Sequence, residues 1–197
     1  MSYAEDDQDR PVARGAVLTT PRTCLTLVTP VDYEFPYQLA VDAGDAWPWQ
    51  CLPPSGESFA QSLWAGVAQQ HVIRDRQGVA ALELCSLYNA SGVYRFGHLR
   101  VFLDRRCHRL GWPLEGVFAF VEHVFMRLEL RKFYVETAAS GFAAYESLGK
   151  LAFAIEGRLR SDYHIDARHE GCDVAAVSRE RWRELHAVVS AIERTSP

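Results

Sequence analysis

The sequence predicts a single α/β or α+β domain, a central mixed sheet with helices inserted among its strands. Three observations carry this. The chain has 197 residues, 48% hydrophobic and 23% charged, which suits one globular core and excludes disordered, collagenous and fibrous chains. Three β-prone runs follow one another in the middle with only turn signals between them. Stretches whose apolar residues recur at three and four flank them on both sides. Residues 1–20 read as a flexible lead-in, with Glu5, Asp6, Asp7 and Asp9 where a secretory signal would carry positive charge, and residues 21–190 as the domain.

The elements follow in order. Cys24 to Val28 is a short β-prone run after Pro21, and Pro30 with Asp32 opens a helix through Tyr37, Leu39 and Val41. Trp47, Pro48, Trp49, Pro53 and Pro54 then form an irregular loop. Ser58 starts a second helix with Phe59, Leu63, Trp64 and Val67 on one face. His71 to Arg74, Val79 to Tyr88 and Val93 to Leu103 read as antiparallel strands, separated by Arg-Gln-Gly and Asn-Ala-Ser-Gly turns. From Pro113, the residues Leu114, Val117, Phe118, Val121, Val124, Phe125 and Leu128 mark a long amphipathic helix with Glu115 in its first turn. Lys132 to Thr137 is a strand, Gly141 to Leu148 a short helix, and Phe153 to Leu159 with Asp173 to Val177 a closing hairpin whose polar turn holds Tyr163, His164 and Asp166.

Composition narrows the function. A net charge of −4 and a pI near 6.0 give no general drive toward nucleic acid or anionic lipid. The longest apolar stretch, Gly116 to Leu128, is broken by Glu122, His123 and Arg127 and falls short of the roughly 20 residues that cross a bilayer. Five scattered cysteines with no CxxC pair indicate neither a disulfide framework nor a metal site, and point to a reduced, cytoplasmic protein. Arg100, Arg105, Arg106 and Arg109 cluster where a strand meets a helix, countered by Asp104. There the backbone N–H groups and the positive helix end make a turn suited to an anion such as pyrophosphate.

That turn carries a resemblance. His108-Arg109-Leu110-Gly111-Trp112-Pro113 follows Val101-Phe102-Leu103-Asp104 and is similar to the Arg/Gln-x-x-Gly-x-Gly/Ala pyrophosphate loop of the GNAT acyltransferases. Leu130 to Glu136, Leu151-Ala152-Phe153 and Glu156-Gly157-Arg158-Leu159-Arg160 resemble later segments of that family, and Asp173 with Arg179 to Trp182 resembles its final strand and that strand's end. The closing set is most like the branch of ribosomal-protein N-terminal acetyltransferases. The chain departs at His108, where arginine or glutamine is usual, and at Pro113, which removes one N–H donor.

The resemblance implies a direct transfer from acetyl-CoA or another acyl-CoA, without metal, to a small-molecule or protein N-terminal amine. It places pantetheine along the backbone of Arg100, Val101 and Phe102. It places the pyrophosphate at Arg106, His108, Arg109, Leu110, Gly111 and Trp112, and the acceptor beside Trp47 and Trp49. Ser147 and Tyr145 are the candidate donors to the departing thiolate. Glu83, amid Leu82 and Leu84, and His98 are candidate bases, with the Tyr163, His164 and Asp166 cluster or water as further routes for the proton. Glu83 reads equally as a solvent-facing residue of an alternating strand. A longer acyl-CoA or carrier-protein thioester as donor, and a catalytically inactive binding module, are the competing readings. The two final strands offer an edge for a homodimer.

Overall fold

A computed structural model describes residues 16–43, 55–107, 112–138, 152–165 and 168–186. Its centre is one eight-stranded sheet: β1 (Ala16–Thr19), β2 (Thr23–Leu27), β3 (Val67–Asp75), β4 (Ala81–Ser91), β5 (Phe96–Leu103), β6 (Lys132–Ala138), β7 (Ala154–Ile165) and β8 (Arg168–Ser178). The spatial order is β1-β2-β3-β4-β5-β6-β8-β7, antiparallel everywhere except between β5 and β6. A 3-10 turn at Pro30–Asp32 leads into α1 (Glu34–Ala43), followed by α2 (Gly56–Ser62) and α3 (Leu114–Arg127). Residues 179–186 form a further helical segment.

Strand alternation divides the core into two layers. Ile73, Cys85, Leu87, Leu99 and Phe133 point to one face, where Phe120, Val121, Val124 and Phe125 of α3 cover them. Val72 and Leu84 point to the other, beneath Leu39 and Ala40 of α1 and Phe59 of α2. Central strands buried on both sides explain why Leu82 to Leu87 is a continuous buried run.

Several sequence expectations shift. Residues 16–19, placed in the lead-in, are the edge strand β1, which pairs with β2. Val67 begins β3 and is not part of α2, because the helix ends at Ser62 and Gly66 adopts a left-handed φ of 68° that turns the chain into the sheet. Asn89, Ala90 and Ser91 stay in β4, and the hairpin turns after them, with Arg95 N donating to Ser91 O at 2.8 Å. The closing hairpin is longer than its apolar pattern. Tyr163 and His164 lie in β7, paired with Glu170 and His169, because bulges let polar residues join the ladder. The segment from Arg179 to Trp182 is helical, not the end of a strand. Asp166 and the helix expected at 141–148 lie outside the described residues.

That helical segment fastens α3 in place. Arg179 donates to the carbonyls of Leu128 and Leu130 at 2.6 and 2.8 Å, capping the C-terminal end of α3 with positive charge. Trp182 stacks on Phe118 at 5.1 Å between ring centroids, and its Nε1 donates to Glu122 of α3. At the other end, Gly116 lets α3 lie directly on β3. A Cβ there would stand 2.9 Å from Cδ1 of buried Ile73 and closer still to its Cγ2.

Two titratable side chains are sealed under α3. His71 on β3 packs edge-on to Phe120 at 5.4 Å, and neither ring nitrogen has a partner among the described residues. Burial, with His123 adding repulsion, pushes its pKa from 6.5 down to about 4. Glu83 on β4 is 0% exposed and its carboxyl oxygens are likewise unpartnered; burial raises its pKa from 4.5 to about 8.

Gly116→Ala should therefore destabilise the fold by about 1–3 kcal/mol through overpacking, although alanine is the better helix former by ~1 kcal/mol. In a chemical-denaturation cycle, Ile73→Ala should cost less in the Gly116→Ala background than alone. For Glu83 the folded pKa lies above the unfolded one, so its protonated form stabilises fully below pH 4.5, and that contribution is lost as pH rises through 8. Glu83→Gln should raise Tm increasingly across this window. The opposite slope from His71, whose stabilisation is lost as pH falls from 6.5 through 4, is common to both proteins and cancels in the comparison.

Candidate active site

The sheet parts in the middle. β5 and β6 pair only at Phe96 with Lys132, Gly97 with Phe133 and His98 with Tyr134. Beyond that point β5 stays with β4 as far as Leu103 opposite Glu83, while β6 follows β8 to Ala138 opposite Cys172. The edge of β5 from Leu99 to Leu103 that faces β6 is therefore not laddered to it, and its backbone donors and acceptors line a wedge. Alternation sends Leu99 and Val101 toward α3, and His98, Arg100 and Phe102 toward the α1 and α2 face.

On that second face an aromatic and charged row crosses the wedge. Nδ1 of His98 lies 3.4 Å from Oε1 of Glu136, with the imidazole side chain 19% exposed. The ring of His98 packs against Tyr88 at 5.3 Å, Tyr134 at 5.6 Å and Phe96 at 5.9 Å. The guanidinium of Arg100 lies over the Tyr88 ring at 4.2 Å. Burial raises the Tyr88 pKa, and the charge of Arg100 opposes it. Opposite Arg100 in the ladder, Ser86 donates to Oε1 of buried Gln70 at 2.7 Å, and Gln70 Nε2 has no partner among the described residues. Lys132 stands over the Tyr134 ring at 5.2 Å and donates to Glu156 at 2.5 Å.

The sequence candidates are distributed unequally. His98 and Arg100 meet in this row. Glu83, left open between a catalytic carboxylate and a solvent-facing one, is neither exposed nor on this face: it shares the α3 side with Cys85 and Leu87, because two-residue steps along β4 return to one side. The carboxylate that does face His98 is Glu136, which the sequence reading placed in a strand without a role. Its signal was alternation with Tyr134 on β6. Tyr88, Gln70 and Ser86 were missed because pairing β3, β4 and β5 in register is a tertiary matter.

At the far end of β5, Val101 packs with the α3 core and Phe102 with the α1 and α2 core. A 3-10 turn at Arg105–Cys107 follows. Asp104 anchors it: the Arg106 backbone N–H donates to Oδ1 at 2.8 Å, and the guanidinium donates to both carboxylate oxygens. Trp112 is half-buried before α3, where it lines an open cavity of about 260 Å³ with Arg22, Arg76 and Asp75. Trp47, Trp49, His108, Arg109, Leu110, Gly111, Tyr145 and Ser147 lie outside the described residues, as do the side chains of Tyr163 and His164. Among the described residues no three His, Cys, Asp or Glu side chains are grouped to hold a metal ion, and no helix is long and apolar enough to cross a membrane.

No protein-family model matches the chain, and no curated protein does. Solved structures do. The spermidine N-acetyltransferase from Vibrio cholerae in complex with CoA and spermine superposes with a TM-score of 0.72 at 16% identity, over 83% of this chain and 99% of that one. Mutant forms of the spermidine/spermine N-acetyltransferase of the same organism give 0.71 at 15% identity, over 85% and 99% of the two chains. The manganese complex of that enzyme gives 0.67 at 16%, over 83% and 96%. These matches do not support the ribosomal-protein branch expected from the closing segments. The chain, with its mixed eight-stranded sheet, shares the fold of these acetyltransferases, the GNAT fold.

Proposed function

We propose that the chain is an acyl-CoA-dependent N-acyltransferase that transfers an acetyl group directly to the amine of a small molecule. The observation that carries this is the wedge between β5 and β6, where Leu99 to Leu103 run on beyond the end of the β6 ladder. An extended chain bearing two amides can bond there as an added strand, and pantetheine is such a chain. When bound, acyl-CoA supplies the activated thioester. The turn from Asp104 to Trp112 takes the pyrophosphate through backbone N–H groups and Arg109, with Arg106 already engaged by Asp104.

The residues of the row then deal with the acceptor. His98 accepts the proton of the incoming ammonium at Nε2, with Oε1 of Glu136 standing 3.4 Å from Nδ1 on the other side of the ring. His98 has this role in preference to Glu83, which lies on the opposite face of the sheet. Tyr145 or Ser147 donates to the departing thiolate, as the resemblance implies. The acceptor approaches from the side of this row, Trp47 and Trp49 contribute to its pocket as the resemblance implies, and spermidine, the amine of the matched proteins, is the first comparison acceptor.

Calorimetry with acetyl-CoA tests the reading directly. Micromolar affinity, weakened more by Arg109→Ala than by Arg106→Ala, is expected, and no binding at millimolar concentration rejects it. In steady-state assays with an accepted amine, His98→Gln should lower kcat by about 100-fold or more while leaving the KM for acetyl-CoA unchanged. Glu136→Gln should lower kcat less, and Glu83→Gln should leave it near wild type.

A further inference from the structure

Length and direction fix where the far end of a bound pantetheine comes to lie. With the pyrophosphate in the turn that begins at Asp104, the arm runs back along β5 from Leu103 toward Leu99. Between phosphate and sulphur it has about twelve bonds, the reach of about four extended residues at three backbone bonds each. Counted from Leu103 that reach ends at Leu99, so the thioester stands next to the rung where His98 pairs with Tyr134 and the wedge closes. The acyl group beyond the sulphur cannot run straight on, because the parallel ladder from Phe96 to His98 fills that direction. Nor can it turn toward α3. Leu99, Leu130 and Phe133 are buried there, and even a Cβ on Gly97 would stand 2.5 Å from Cδ1 of Leu87. What remains is the α1 and α2 side, by which the amine must also reach the carbonyl.

On that side the last rung carries Tyr134. Its ring is braced by the ring of His98 at 5.6 Å, by Phe96 edge-on at 5.7 Å and by Nζ of Lys132 at 5.2 Å, and Lys132 is itself tied to Glu156. Swinging it aside would break these contacts together. We propose that Tyr134 sets the length of the acyl group, closing the wedge to chains longer than propionyl and so selecting acetyl-CoA as the donor. The inference rests on the acyltransferase reading and adds to it the residue that separates a short acyl group from a long one. The methyl of an acetyl group ends before the ring. Each further methylene is pressed against Tyr134 or into the path of the amine, and a misfitting methylene costs about tenfold or more.

Binding reads the length of the acyl group without need of an acceptor. Calorimetry on the full chain compares acetyl-, butyryl- and hexanoyl-CoA, with free CoA as the reference for the arm alone. Hexanoyl-CoA should bind about tenfold or more weakly than acetyl-CoA, with butyryl-CoA between them. Tyr134→Ala should bring hexanoyl-CoA to within about threefold of acetyl-CoA, whereas Tyr134→Phe, which keeps the ring, should retain the wild-type ratio. Tyr134→Leu should shift the ratio in the same direction by less, and serves where the alanine variant does not fold; circular dichroism melts establish the folding of each. Tyr94→Ala removes a ring from the exposed end of the row, stacked on Phe96 at 6.3 Å, and should leave the ratio unchanged. The inference is overturned if the wild-type protein binds the longer chains as tightly as acetyl-CoA or more so, if the ratio survives in folded Tyr134→Ala or Tyr134→Leu, or if Tyr94→Ala abolishes it equally. Acetyl-CoA binding without a preference for the short chain overturns this inference alone and leaves the acyltransferase reading standing. No binding of any of the four compounds at millimolar concentration overturns both.

Discussion

Three rungs of parallel ladder hold β5 to β6, and everything proposed for the site depends on where that ladder stops. Each strand is committed elsewhere: β5 to β4 from His98 to Leu103, and β6 to β8 along its whole length from Lys132 to Ala138. Antiparallel pairs are somewhat stronger per residue than parallel ones, and sheet twist rotates neighbouring strands apart, so two strands each bound on their outer edges separate once the short parallel contact ends. The separation ends the β6 ladder at His98, while β5 runs on with β4 to Leu103. An extended ligand of the proposed kind would add to the sheet at that opening.

A wedge of this kind requires rigid walls, and the α3 layer supplies one. Phe120, Val121, Val124 and Phe125 bind the strands on both sides of the gap into one core, reaching Leu87 and Leu99 before it and Phe133 and Val177 beyond it. The contact of Gly116 with Ile73 sets the depth of α3 at its start, and Arg179 with Trp182 holds it near its end.

Much of this architecture was legible in the chain. The helix after Pro113 shows its period because one face alone is buried, and β4 shows as a continuous apolar run because both of its faces are. β1 and the polar half of the β7 and β8 hairpin were not legible, since edge strands need only one apolar side and bulges break their alternation. In the site, His98 and Arg100 stood out as polar residues within a strand. Their partners did not, because the register that brings Tyr134 beside His98 and Glu136 within reach of it is set by a crossover through α3 and by no local pattern.

The same alternation separates two kinds of polar burial that look alike in sequence. Glu83 and Arg100 both sit in β-rich segments flanked by apolar residues, yet a one-residue difference in phase sends the carboxylate under α3 and the guanidinium to the wedge. Under α3 no described group offers Glu83 a hydrogen bond, so the fold holds it protonated at neutral pH and it behaves as a neutral core residue. Toward the wedge, His98 and Arg100 are only partly buried and pack on the Tyr88 ring, with Glu136 beside the imidazole. The proposed chemistry therefore belongs to the α1 and α2 face. The phase of β4 and β5 relative to α3 decides which ionisable residues are available to a substrate and which serve only to fill the core.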